Sequence, residues 1–178
     1  MTPAVRVVPY DPEWPRLFER EREILERVLA PFLEGGVHHI GSTAVPGLAA
    51  KPVIDMMAGV RDLEEARVAF APLGEHGYEY TPHRPRTHHF SKPAGAAWWH
   101  VTHGLHVTEV GTDLWRERLA FRDALRADAA LALEYQELKV RLAREHGADS
   151  GAYTVAKRPF VAAVLARAGI AIPATSPR

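Results

Sequence analysis

Residues 37–60 contain two short apolar runs, VHHI and PVIDMMAGV, separated by a loop of small residues with glycine and proline. Apolar runs of this length between glycine and proline are typical of buried β-strands. We therefore predict one strand over VHHIGS and another over KPVIDMMAGV, and the short loop favours their pairing as neighbours. This pairing places the Gly41-Ser42 turn at the end of the first strand and Asp55 within the second.

The segments on both sides of these strands have helical periodicity. It covers about residues 13–33, the segment RDLEEARVAFAPLGEHG and three segments of the C-terminal third. Two or three further strands alternate with turns over residues 78–110. We predict an α+β fold, a mixed β-sheet with helices on one side and a C-terminal helical block over about 112–169. At 178 residues we expect one domain.

Composition excludes several classes of protein. The 22 Lys and Arg residues balance 22 Asp and Glu residues, so no excess charge indicates a nucleic-acid or anionic membrane partner. The absence of cysteine excludes disulfides, thiolate catalysis and cysteine-based zinc sites. No apolar run resembles a signal peptide or a membrane span. We expect a cytoplasmic protein with no membrane partner, and the oligomeric state stays open.

The Gly41-Ser42 turn and Asp55 have the composition of a phosphate-and-metal site. Glycine lets a phosphate approach backbone N–H groups, and the hydroxyls of Ser42 and Thr43 can add hydrogen bonds. Asp55 lies among apolar neighbours, where an unpaired carboxylate is unfavourable, so a cation is one candidate partner. Two interpretations remain open: a phosphate-binding turn beside a catalytic, cation-binding Asp55, or a tight turn with an ordinary hydrogen bond to Asp55.

The run HIGSTAVPGLAAKPVID, preceded by VVPYDPEWPRLFERE and followed by LHVTEVGTDLWRERLAFRDALR, EYQELK and YTVAKRPF, resembles the GrpB family over roughly residues 5–168. The resemblance implies a DNA-polymerase-β-like nucleotidyltransferase fold. With the Gly41-Ser42 turn and Asp55, this fold makes a phosphate-containing small-molecule ligand, such as a nucleotide, our leading hypothesis, with or without nucleotidyl transfer. Members also occur fused to dephospho-CoA kinase, which fits a non-catalytic ligand-binding or accessory module instead.

The chain departs from the acidic pattern of active nucleotidyltransferases. Those enzymes carry two acids one residue apart on this strand and a third acid on a later strand. Here Met57 stands at the second position, and the later strand LHVTEV offers His106 instead, with Glu109 on its other face. We therefore do not expect two-metal catalysis by three carboxylates.

Histidines suggest a different kind of metal site. His39 and His106 match positions where the GrpB pattern is itself histidine. If the strands bearing His39, Asp55 and His106 are adjacent, one face could hold a transition metal and make the protein a metal-dependent hydrolase. The alternative is that these imidazoles hydrogen-bond to their neighbours. A divalent metal, Mg²⁺ or a transition metal, is thus the one cofactor that the sequence suggests.

Three lysines are candidates for phosphate binding. Lys139 and Lys157 each follow a tyrosine by four residues, so each shares a helix face with that tyrosine. Lys51 directly precedes the strand of Asp55 and is the nearest cation in sequence to the turn. We predict that these lysines neutralise phosphate, and the alternative is that they extend into solvent.

Arginine and tryptophan side chains leave two further questions open. Arg122 is a candidate phosphate ligand, or it belongs with Arg118 and Arg126 to a solvated basic stripe on one helix. Trp98 and Trp99 form an aromatic turn that could stack a base or pack against the rest of the protein.

Overall fold

A computed structural model describes residues 5–82 and 84–171, and its strands form one mixed sheet. The strands are β1 (Leu33–Ile40), β2 (Ile54–Val60), β3 (Glu79–Tyr80), β4 (His88–Lys92) and β5 (His103–Glu109). Their order in the sheet is β1-β2-β5-β4-β3. Strands β2 and β5 are parallel and the other neighbours are antiparallel. The predicted mixed sheet and the pairing of the first two strands are confirmed.

The helices within the described residues are α1 (Trp14–Leu29), α2 (Phe70–Glu75), α3 (Asp113–Ala127), α4 (Ala129–His146), α5 (Ser150–Ala156) and α6 (Arg158–Arg167). Two short 3₁₀ turns cover Ser42–Ala44 and Glu65–Ala69. No helix in this part of the chain combines the length and apolar character needed to cross a membrane.

Three predicted helices differ in extent from the observed ones. The first ends at Leu29 rather than near residue 33, because Pro31 has no N–H with which to continue the helical hydrogen bonds. The segment RDLEEARVAFAPLGEHG forms a 3₁₀ turn followed by the short helix α2. The last predicted helix is divided at Lys157, because Pro159 lacks an N–H and begins a new helix in its first turn.

The larger hydrophobic core lies between the sheet and the helices α1 and α2, on one face of the sheet. Apolar residues of β2 that point to this face alternate with Asp55 and Met57, which point to the other. The buried side chains of this core include Trp14, Phe18, Leu25 and Leu29 of α1, Leu73 of α2, and Met56, Ala58, Phe90, Leu105 and Val107 of the strands.

Helix α3 lies against the opposite face of the sheet. The indole of Trp115 packs on Gly35 and Gly59, and a Cβ added to either glycine would lie 2.6 Å from the ring. Only glycine allows this close approach. The contact fixes α3 on the same sheet face as Asp55, and the helices that follow are positioned from there.

The C-terminal helices are joined by two capped turns. Asp128 accepts hydrogen bonds from two N–H groups at the start of α4, and Asp149 does the same for α5. A second core connects α3, α4 and α6 to the loop after β1, with Val45, Leu48, Leu125, Leu131, Tyr135 and Val164 buried in it. The helices α4 and α5 thus lie over the end of β1 and the start of β2.

Candidate functional site

Asp55 lies near the start of β2, between two glycines on the neighbouring strands. It pairs with Ile40 of β1, which precedes Gly41, and with Gly104 of β5. A Cβ added to Gly41 would lie 2.8 Å from Asp55 Oδ2, and one added to Gly104 would lie 3.0 Å from Oδ1. Gly41 also has a φ of +72°, which side chains rarely adopt. Both glycines are therefore required by the position of the Asp55 carboxylate.

The turn after Gly41 is tied to the strands by its side chains. The Thr43 hydroxyl donates to the carbonyl oxygen of Val53 at 2.9 Å and accepts from Nε2 of His39 at 3.0 Å. Ser42 is hydrogen-bonded instead to the buried hydroxyl of Tyr135 on α4. Thr43 thus holds the turn in place, and Ser42 joins it to α4.

A pocket of about 200 Å³ opens above Asp55, and we call it the Asp55 pocket. Residues from the turn, β2, α4 and α5 form its wall: Val5, Ser42, Thr43, Lys51, Val53, Asp55, Lys139, Ser150, Tyr153, Thr154 and Lys157. The chain has four lysines, at 51, 92, 139 and 157, and all except Lys92 line this pocket. Asp55 is the only acidic residue of the described chain in its wall.

The lysines of the Asp55 pocket are held in partly desolvated positions. Lys139 is 2% exposed, donates to the carbonyl oxygen of Ala49 and lies with Nζ 4.9 Å from the centre of the Tyr135 ring. Burial and the charge of Lys157 lower the pKa of Lys139 to about 7. Burial lowers the pKa of Lys157 to about 8, although the negative charge of Asp55 opposes this shift. An anion bound beside them would therefore favour the charged form of both amines.

The carboxylate of Asp55 faces the pocket without a hydrogen-bonding partner in the described part of the chain. Burial raises its pKa, and the charges of Arg118, Lys51 and Lys157 counteract this effect. The largest of these opposing effects comes from Arg118 on α3, whose Nε is buried and has no hydrogen-bond partner among the described residues. Asp55 and Arg118 both therefore have hydrogen-bonding capacity that the described protein groups leave unused.

The predicted His39, Asp55 and His106 metal cluster does not form. His39 pairs with Met56 and stacks on Phe18 at 4.7 Å, which places its ring on the sheet face opposite Asp55. Burial and the charges of Arg126 and Arg122 lower its pKa to about 4, so it stays neutral at pH 7.

His106 shares the sheet face of Asp55 but lies two positions further along β5, beside Met57 and next to His89. Within residues 5–82 and 84–171, no group of three or more His, Asp or Glu side chains is arranged to hold a metal ion. The reason is the register, because neighbouring residues of a strand point to opposite faces.

Arg122 and Arg126 of α3 hydrogen-bond to backbone carbonyls, and Arg122 does not belong to the pocket wall. Arg122 donates to the carbonyl oxygen of His39 at 3.1 Å and is paired with Asp123 at 2.7 Å. Arg126 donates to the carbonyl oxygen of Ala44 at 2.9 Å. These guanidinium groups bind one backbone oxygen of β1 and one of the turn that follows it, and they fasten α3 to both segments.

Several residues near Asp55 escaped the sequence analysis. Arg118 lies four residues before Arg122, so the two share one face of the predicted helix. Nothing in the local sequence pattern shows that Arg118 is the one near Asp55. Tyr135 and Tyr153 are the tyrosines that share a helix face with Lys139 and Lys157, and their spacing predicts no role beyond that. In the structure Tyr153 forms part of the pocket wall and Tyr135 contacts Ser42. Ser150 and Thr154 gave no signal beyond belonging to a predicted helix.

The strand register shows that Met57 occupies the position of the second acid of active nucleotidyltransferases. Met57 points to the same face as Asp55, is fully buried and pairs with His38 and His106. Glu109 lies on the opposite face and accepts a hydrogen bond from the backbone N–H of Leu63. Asp55 is thus the only member of the three-carboxylate set that the described residues supply.

The fold is nucleotidyltransferase-like. Cid1 poly(U) polymerase, in a crystal structure with bound Mg 3′-dATP, superposes with a TM-score of 0.55 and 15% sequence identity, covering 84% of this chain and 49% of that one. At this identity the likeness concerns the fold alone.

The chain belongs to the GrpB family, whose sequence profile, described as GrpB protein, matches residues 4–167. The GrpB crystal structure from Enterococcus faecalis has a TM-score of 0.82 and 32% identity, covering 92% of this chain and 96% of that one. The glutamate-rich protein GrpB of Alkalihalophilus pseudofirmus is 34% identical, over 90% of this chain and 94% of that protein. The dephospho-CoA kinase of Mycolicibacterium paratuberculosis is 29% identical over 88% of this chain and 44% of its own length.

Proposed function

We propose that the protein binds a nucleotide or another phosphorylated small molecule in the Asp55 pocket. The phosphate groups contact its three lysines and the Gly41-Ser42 turn. The observation that carries this proposal is the convergence of Lys51, Lys139 and Lys157 on one pocket that contains a single carboxylate.

The distribution of charge supports an anionic ligand. The chain as a whole has a formal net charge of zero, yet three of its four lysines surround Asp55. Desolvation, together with repulsion from neighbouring cations, lowers the pKa values of Lys139 and Lys157, so their charged forms are disfavoured unless an anion lies beside them. A phosphate removes this penalty by pairing with the ammonium groups, and charge-assisted hydrogen bonds are the strong ones.

The single carboxylate limits the chemistry that we propose. Mg²⁺ commonly binds through one or two carboxylates together with phosphate oxygens of the ligand. Asp55 therefore suits a Mg²⁺ ion that arrives with a nucleotide, but it does not supply the ligands for two-metal nucleotidyl transfer. Binding of a phosphorylated ligand, rather than two-metal transfer, is the function that the residues support best.

Calorimetric titration of tripolyphosphate and ATP, each with and without Mg²⁺, tests this proposal. We expect both to bind the wild type and Lys157→Met to weaken binding about tenfold or more, because a charged hydrogen bond is lost. Asp55→Asn should abolish any increase in affinity that Mg²⁺ produces, while binding without Mg²⁺ persists.

Arg116→Met provides the matched control. Arg116 lies on α3, is exposed and is paired with Asp113, so its replacement removes one positive charge away from the Asp55 pocket. This variant should bind like the wild type. Binding of neither compound to the wild type, or equal affinities for wild type and Lys157→Met, would falsify the proposal.

The relationship to dephospho-CoA kinase suggests dephospho-CoA as a further ligand to test in the same titrations. That enzyme's sequence includes a segment related to this chain, covering 44% of its length. If the segment serves as an accessory module, its pocket should accept the kinase's nucleotide substrate. Dephospho-CoA should then bind more tightly than ATP. If it binds more weakly than ATP, the accessory-module function is ruled out.

A further inference from the structure

The Asp55 pocket is smaller than the ligand class proposed for it. Its volume of about 200 Å³ is below the range of roughly 300–1,000 Å³ that small-molecule sites usually have. The pocket therefore accommodates phosphate groups, and the rest of a nucleotide has to lie outside it. The surface beside the pocket decides what that remainder contacts.

Lys51 connects the pocket to the segment between β4 and β5. Its Nζ donates to the carbonyl oxygen of Trp98 at 3.3 Å and lies 4.9 Å from the centre of that ring. Trp98 also packs against Tyr153, which belongs to the pocket wall. The aromatic segment is thus part of the same structure as the phosphate-binding residues.

Trp99 is the next aromatic ring outward. It meets Trp98 edge-on, with ring centres 5.6 Å apart. Because the Lys51 Nζ lies 4.9 Å from the centre of the Trp98 ring, the Trp99 ring lies within the length of a nucleotide from the Lys51 ammonium. Trp99 is 38% exposed, and among the described aromatic residues only Tyr80, at 36%, is comparably open to solvent.

The segment that carries Trp99 is held by hydrogen bonds at both ends. Ala94 donates its N–H to the carbonyl oxygen of Gly77 at 2.9 Å, and Gly95 donates to Glu79 at 2.7 Å. Thr102 donates its N–H to the carbonyl oxygen of Lys92 at 2.9 Å. These bonds restrain the backbone of the segment that carries Trp99, so little backbone freedom is lost when a planar group stacks on its ring.

We propose that Trp99 is a stacking platform for the base of a nucleotide whose phosphates occupy the Asp55 pocket. This inference rests on the proposed function and narrows the ligand class to phosphate compounds that carry a flat aromatic ring. Stacking on an indole tolerates every base, because each base has a π-face. The platform supplies affinity for the base, and the choice among bases is left to other contacts.

A comparison of ATP with tripolyphosphate isolates the contribution of the base. We expect Trp99→Ala to weaken ATP binding about tenfold, which is typical for loss of one base stack, and to leave tripolyphosphate binding unchanged. Trp99→Phe should keep most of the ATP affinity, because a smaller aromatic face remains. ATP, but not tripolyphosphate, should also quench the tryptophan fluorescence of the wild type, and this quenching should fall in Trp99→Ala.

Tyr80→Ala is the matched control, since Tyr80 is equally exposed but lies on β3, three strands from β2 in the sheet order. It should change neither affinity. Equal ATP affinity in wild type and Trp99→Ala, with tripolyphosphate still bound, overturns the platform and leaves the proposed function intact. A Trp99→Ala effect on self-association but not on ATP binding also overturns it. If wild type binds neither compound, both proposals fail.

Discussion

Asp55 shows how strongly a single side chain can constrain its neighbours. Its carboxylate occupies the space that a Cβ would need at Gly41 and at Gly104, and the lysines of the pocket surround the side that remains open. The two glycines therefore do more than permit turns. They determine where the carboxylate points and hence which groups of the Asp55 pocket it can influence.

Replacement of Gly41 by alanine should destabilise the protein for two reasons. Its φ of +72° and ψ of −172° lie in a region that is essentially restricted to glycine and costs other residues about 1–3 kcal/mol, and the new methyl group would meet Asp55 Oδ2 at 2.8 Å. Gly47 has a φ of +78° with no atom within 4 Å of an added Cβ, so Gly47→Ala measures the cost of a positive φ without a steric contact.

We expect the loss of unfolding free energy in urea to be larger for Gly41→Ala than for Gly47→Ala by about 1 kcal/mol or more. Similar losses in the two variants would show that the contact with Asp55 relaxes without cost.

Lys139 should make stability depend on pH in a defined window. Its pKa is about 7 in the folded protein and has an ordinary value near 10.5 in the unfolded chain. Between these values the unfolded chain binds more protons, so this lysine makes the unfolding free energy rise as the pH increases from 7 to 10.5. Below pH 7 both states carry the charge, and the dependence ends.

The comparison of wild type with Lys139→Met isolates this effect from other titrating groups. The difference between their unfolding free energies should change by up to about 1.4 kcal/mol for each pH unit in that window. Denaturant titrations at closely spaced pH values measure it. Parallel curves for the two proteins would contradict the lowered pKa of Lys139.

Helix α5 depends on its N-terminal cap to present the pocket residues. Asp149 accepts hydrogen bonds from the N–H groups of Gly151 and Ala152 at 2.9 and 3.0 Å. Helix α5 has only seven residues, and isolated helices of this length are unstable in water. Its order consequently rests on the cap and on the packing of Tyr153.

Asp149→Ala should therefore affect ligand binding as well as stability. We expect a loss of about 1 kcal/mol in unfolding free energy and weaker tripolyphosphate binding, because α5 carries Tyr153 and leads into Lys157. Asp128 caps α4 with hydrogen bonds of 2.9 and 3.0 Å, but Lys139 is remote from that end. Asp128→Ala should thus lose a similar unfolding free energy while keeping its affinity for tripolyphosphate. Equal losses of tripolyphosphate affinity in the two variants would refute the dependence of binding on the α5 cap.

The molecule as a whole separates its structural charges from its pocket charges. On the sheet face that packs against α1, Glu21 accepts hydrogen bonds of 2.7 Å from Lys92 and from the Tyr78 hydroxyl. Lys92 is the one lysine of the chain outside the Asp55 pocket, and it joins α1 to the sheet. On the other sheet face, the three lysines of the Asp55 pocket lie near one carboxylate, that of Asp55, which has no hydrogen-bonding partner among the described residues.

Lys92→Met should lower the unfolding free energy by about 2 kcal/mol, because it leaves the Glu21 carboxylate without its cation in a mostly buried position. The double variant Glu21→Gln/Lys92→Met should lose less than the sum of the single variants, and a denaturation cycle over the four proteins measures that coupling. Tripolyphosphate affinity should remain unchanged throughout. Additive losses would show that the pair contributes no coupling energy.

Much of the fold followed from local patterns, because periodicity and chain punctuation act over a few residues. The strand pair, the Gly41-Ser42 turn, the single acid at Asp55 and the apolar Met57 were all correctly placed from the sequence. Two of the three helix predictions that failed did so where proline ended or divided a helix, as at Lys157. The sequence offered Lys51, Lys139, Lys157 and Arg122 as candidate phosphate ligands, and of these the three lysines line the Asp55 pocket.

The arrangement of side chains around Asp55 was decided by the tertiary structure alone. A shift of one residue in strand register moves a side chain to the other face, and this separates His39 from Asp55. Similarly, helix spacing groups Arg118 with Arg122, but only the packing of α3 on the sheet directs Arg118 toward Asp55 and Arg122 to a backbone carbonyl. The sequence determined which residues were available, whereas long-range packing determined which of them meet, because those contacts join segments far apart in the chain.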